Sequence, residues 1–187
     1  LKAYEATGNS DYFDSAKKSA YEIANHWCSN YTAEKISCTT ARTSWKAGGA
    51  YTNEDIVFLQ RMGKYWNAGN LFSRQAEKAV IDRWDAYNNS AQEVYTFIKT
   101  LRGPDLFYWD LEPVVEHTLD AANTISDSNK AMILRNNALA LAKLVADDQK
   151  TGGHFITAWA NADSRLGQAS AIRILQLAND MSFDVDY

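Results

Sequence analysis

At 187 residues and 46% hydrophobic, the chain is long enough for one sizeable core and short for two. Its formal net charge of −4, with Lys and Arg scattered along the sequence, argues against nucleic acid or an anionic membrane as the main partner. No apolar run approaches the roughly 18 residues of a membrane-spanning helix.

The first residues predict a helical hairpin. One helix ends at Thr7, Gly8 supplies a left-handed C-cap, and Asn9 or Ser10 caps a second helix at once. Tyr12, Ala16, Ala20, Ile23 and Trp27 then recur at three- and four-residue spacing, as one buried stripe would. No initiator Met and no cap precede Leu1, so the chain is expected to be a piece of something longer. Cys28 to Tyr51 reads as a long connection. Its two cysteines, Cys28 and Cys38, flank a polar loop, and a disulfide there would contribute about 2–3 kcal/mol; two unrelated thiols are the equal alternative.

Thr52-Asn-Glu-Asp55 resembles a capping box, opening a helix with Ile56, Leu59, Met62 and Trp66 inward. Gly69-Asn70 breaks it, and Phe72, Ala76, Ala79, Val80, Trp84 and Tyr87 form the next stripe. After a turn at Asn88-Asn89, Ser90-Ala-Gln-Glu93 boxes a helix carrying Val94, Phe97, Ile98 and Leu101, which stops at Gly103-Pro104. Asp105 to Trp109 reads as an aromatic connection, with Asp110 as the next cap and Pro113 in a first turn. That helix buries Val114, Val115, Thr118, Leu119 and Ala122. Ser126 or Asp127 starts a longer one through Ile133, Leu134, Ala138, Leu141, Leu144 and Val145, ended by Gly152-Gly153. Residues 154–162 form a third loop, and the last helix starts near Asp163 or Ser164 with Leu166, Ala169, Ile172, Leu175, Ala178 and Met181 inward.

Nothing alternates with period two over a useful length, so the expectation is a single all-α domain spanning 1–187. Short turns alternating with longer loops predict antiparallel helical hairpins arranged as an α/α toroid or part of one, with an orthogonal helical bundle as the alternative. The length holds fewer hairpins than a closed toroid needs, which favours a fragment or an open solenoid.

The pattern Leu1-x-x-Tyr4-Glu5-Ala6-Thr7-Gly8-Asn9-x-x-Tyr12-Phe13-x-x-Ala16 resembles the hairpins of α/α-toroid carbohydrate-active enzymes. Asn136-Asn137, then Gly152-Gly153, then Ser164-Arg165 opening an apolar helix, is similar to the closing half of alginate-lyase-like toroids. In that family His follows the paired Asn and a Tyr accompanies the Arg, whereas Ala138 follows here and Arg165-Leu-Gly-Gln-Ala-Ser holds no Tyr. The resemblance implies a polysaccharide or oligosaccharide as partner, a secreted or periplasmic setting, and no cofactor. Asn30-Tyr-Thr and Asn88-Asn-Ser, which match the glycosylation pattern, are compatible with export.

A uronate lyase working by β-elimination must neutralise a carboxylate, remove the adjacent proton and protonate the leaving oxygen. Arg165 with Asn137 are candidates for the first task, His154 for the second and Tyr108 for the third. A glycoside hydrolase would need two carboxylates, for which Asp110 and Glu112, or Asp147 and Asp148, are candidates. Six Trp, ten Tyr and seven Phe are generous for a plain bundle, and Trp45, Trp109 and Trp159 in the long connections are candidates for stacking on sugar rings. Each residue also has a structural reading: Asp110 and Glu112 as cap and first-turn acid, Tyr108 as a packed ring, Arg165 paired with Asp163. On that reading the chain is a non-catalytic helical binding or structural module. His26 and His117 lack companions at metal-ligand spacing, so no metal site is expected.

Overall fold

The computed structural model describes residues 1–26, 53–66, 71–102, 107–153, 155 and 165–183. Among these residues there are eight α-helices and no sheet, in keeping with the all-α expectation. The chain comprises two compact units, Leu1–Ala86 and Tyr87–Tyr187. Cys28, Cys38, Trp45 and Trp159 lie outside the described residues.

In the first unit, α1 (Lys2–Thr7) turns directly into α2 (Ser10–His26). The turn is legible residue by residue. Thr7 Oγ1 donates to the Ala3 carbonyl at 2.6 Å and accepts from Asn9 N–H at 3.3 Å. Gly8, at φ 69°, adopts the left-handed conformation that a side chain would resist, and its N–H closes on the Tyr4 carbonyl at 2.7 Å. Asn9 Oδ1 then accepts from Asp11 N–H at 2.9 Å and so caps α2. Ala16 and Ala20 are buried as expected, whereas Tyr12 is 47% exposed. Its neighbour Phe13 makes the ring contact with Tyr4 instead.

Helices α3 (Asn53–Tyr65) and α4 (Leu71–Ala86) pack on each other and on α2. Ile56, Leu59 and Met62 meet Phe72, Ala76, Ala79, Val80 and Trp84 in the core of this unit. The close approach of α3 to α4 depends on Gly63. A Cβ there would run into Ser73 Oγ and lie 3.1 Å from Ser73 Cβ and 3.3 Å from Ser73 N. Arg83 is buried, and its Nη1 donates to Asn53 Oδ1 at 2.7 Å, joining the last turn of α4 to the first of α3.

The second unit opens with a tight turn. Asn88 and Asn89 take φ 53° and 55°, which asparagine tolerates, and Ser90 N–H closes on the Tyr87 carbonyl at 2.9 Å. Ser90 Oγ accepts from Glu93 N–H at 3.3 Å, capping α5 (Ala91–Arg102). Glu93 Oε1 in turn accepts from Asn88 Nδ2 at 3.4 Å, tying the turn to the first turn of α5. Helix α6 (Phe107–Thr124) is central, packed against α5, α7 (Ser128–Asp147) and α8 (Arg165–Phe183). Leu111, Val114, Val115, Leu119, Ala121 and Ala122 bury most of its circumference. Asp127 Oδ1 caps α7 through Asn129 N–H at 3.0 Å and Lys130 N–H at 3.1 Å.

Three expectations are corrected here. Helix α6 begins at Phe107, so Asp110 lies inside it and not at its cap, and Pro113 sits two turns in. The carbonyl that Pro113 cannot serve is that of Trp109, on the less buried side of the helix, where water can take over. In α7, Ile133 is exposed while Leu134, Ala138, Leu141 and Val145 are buried. In α8, Ile172 and Ala169 are exposed, and Ser170, Ala171 and Ile174 face inward with Gly167. Small residues let α8 approach α6 closely, and that overrides the larger apolar side chains one position away.

Candidate functional site

The residues nominated from the sequence fall in different surroundings. Tyr108 is 0% exposed, its hydroxyl donated to Asp148 Oδ2 at 2.9 Å. Asn137 is buried on α7, with Nδ2 donating to Asn89 Oδ1 at 3.5 Å. Arg165 is the first residue of α8, and His154 falls outside the described residues. On α6, Trp109 is 47% exposed, and Asp110 and Glu112 are half-buried beside it. Trp109 and Glu112, three residues apart, share one face of the helix. Buried His117 neighbours Thr118, whose hydroxyl donates to the Val114 carbonyl at 2.6 Å. Among the described residues, no three His, Cys, Asp or Glu gather as metal ligands would.

A polar cluster in the second unit centres on Asp148, the C-cap of α7. Its Oδ2 accepts from the hydroxyls of both Tyr95 on α5 and Tyr108 on α6. Lys99, one turn beyond Tyr95, places Nζ 3.7 Å from Asp148 Oδ1 and 3.1 Å from the Tyr95 hydroxyl, with its charge 5.0 Å from the Tyr95 ring centre. Burial, then the hydrogen bond to Asp148 and that carboxylate's charge, hold the Tyr95 hydroxyl far above its ordinary titration range. Phe155 stacks edge-on against Tyr108 at 5.9 Å, and its backbone N–H and C=O are both bonded to Gln168 of α8, at 3.0 and 3.2 Å. Asp148 thereby ties three helices together through the two hydroxyls on its Oδ2. Asp147, the other half of that sequence pair, points away and meets Lys143 at 3.2 Å on the surface.

A second cluster, which sequence reasoning did not single out, lies across α1–α4 of the first unit. Tyr65, at the end of α3, meets Tyr4 of α1 edge-on with ring centres 6.0 Å apart. Tyr4 lies 4.8 Å from Phe13 of α2. One turn along α2, Lys17 Nζ sits 4.7 Å from the Phe13 ring centre and 5.4 Å from that of Trp66. Trp66 meets Tyr21 edge-on at 5.2 Å, and buried Phe72 anchors both, at 5.7 and 5.5 Å. The result is a continuous strip of rings interrupted by one ammonium group. Its ends are open, with Tyr65 48% and Tyr21 42% exposed.

Polar groups line this strip. Tyr65 donates its hydroxyl to the Glu5 carboxylate, which is the leading cause of its raised pKa. Lys17 Nζ pairs with Asp14 at 2.7 Å. The one sequence signal for the strip is Phe13, Lys17 and Tyr21 at four-residue spacing on α2, beside the Ala16–Ala20 stripe that faces the core.

No family model, curated protein or solved structure matches this chain. Among the described residues no helix is long and apolar enough to cross a membrane.

Proposed function

We propose that this chain is a carbohydrate-active helical domain, and that it acts by binding an oligosaccharide on the aromatic strip of its first unit. The strip is the observation that carries the reading. Sugar rings present apolar C–H faces that stack on aromatic side chains, while their hydroxyls need donors and acceptors at the edge of the contact. Tyr65 and Tyr21 offer open faces, and Glu5, Lys17 and the tyrosine hydroxyls supply the polar edge. The strip also grows out of the Thr7-Gly8-Asn9 hairpin, the segment that resembles carbohydrate-active toroids. An extracellular setting goes with such a ligand.

Catalysis by uronate elimination or glycoside hydrolysis is the second reading, and two contacts favour binding over it. A catalytic acid must come within hydrogen-bond reach of the leaving oxygen. The Tyr108 hydroxyl is buried and donated to Asp148, and the Asn137 amide is donated to Asn89. The test is retardation of the native chain in gels containing neutral or acidic polysaccharides, run beside a Tyr21→Ala/Tyr65→Ala variant. Retardation by a polysaccharide, lost in the variant, is expected, with no ultraviolet-absorbing unsaturated product from uronate polymers. Unsaturated product would restore the lyase reading. Retardation by none of the polymers would remove the carbohydrate reading altogether.

A further inference from the structure

We draw no further inference here: the strongest candidate, the aromatic face across α1–α4 on which Tyr21 and Tyr65 stand open, belongs to the site already described, and nothing in the structure shows which kind of chain covers it.

Discussion

Removing the Asp148 carboxylate should destabilise the second unit more than any other single polar change there. In Asp148→Ala, the hydroxyls of Tyr95 and Tyr108 lose the oxygen they share. Hydrogen bonds to a charged group contribute about 1.5–3 kcal/mol each, and a buried donor left unmatched costs about as much. Both tyrosines are buried, so neither hydroxyl can be fully served by water. The Lys99 ammonium, 37% exposed, keeps most of its hydration and is assigned almost nothing. The expected loss is about 3–5 kcal/mol. Tyr95→Phe and Tyr108→Phe should cost about 1–2 kcal/mol each, because the carboxylate retains its other donor. As the two hydroxyls share Oδ2, their double variant should depart from additivity. Urea denaturation followed by circular dichroism reads all four variants, and an unchanged slope would confirm that the folded and unfolded states remain comparable. If Asp148→Ala lies within about 0.5 kcal/mol of the parent, the network does not hold the unit together.

Tyr95 also predicts an alkaline limit. Its folded pKa is raised above the unfolded value of 10.0, so its contribution is complete below pH 10. As pH rises further, the unfolded chain loses the proton and the folded chain keeps it, so stability should fall by about 1.4 kcal/mol per pH unit from this group. Tyr95→Phe should flatten that slope in denaturation midpoints measured from pH 9 upward. Gly63→Ala should destabilise the first unit by about 1–2 kcal/mol, because overpacking against Ser73 outweighs the gain in helix propensity; Ser73→Gly in the same chain should recover it, and a stabilised single variant would contradict the packing. Gln75 is buried on α4 with both amide atoms unmatched. Gln75→Met should therefore raise the free energy of unfolding by about 1–2 kcal/mol, and a marked loss would show that the amide is bonded in solution.

The parts of the fold legible in the sequence are those set by contacts a few residues long. Thr7-Gly8-Asn9, Ser90 and Asp127 mark their helix ends correctly because each side chain acts on backbone groups within four residues. The start of α6 was less legible, since Asp110 and Pro113 both suit a helix beginning and both are also accommodated inside one whose less buried side carries the affected carbonyl. The inward face of α8 departs from its apolar pattern for a different reason. Apolar size favours Ile172, but Gly167, Ser170 and Ala171 allow the backbone approach to α6. The aromatic strip is built from four segments, and only the Phe13–Lys17–Tyr21 step lies within one helix. Tyr65 and Trp66 reach it only because α3 packs on α2, a long-range contact that no local pattern announces. Tyr108 was singled out for its residue type, and the partner that occupies its hydroxyl lies forty residues away.

The central claim is that carbohydrate binds on the strip of rings in the first unit. Its most direct measurement is a side-chain nuclear magnetic resonance titration of the chain with the tightest-binding oligosaccharide. Aromatic signals of Tyr4, Phe13, Tyr21, Tyr65 and Trp66, with the Lys17 methylenes, should shift together and saturate, while Tyr95 and Tyr108 stay unmoved. Shifts confined to Trp109 and its neighbours on α6, with the strip unchanged, would contradict the account.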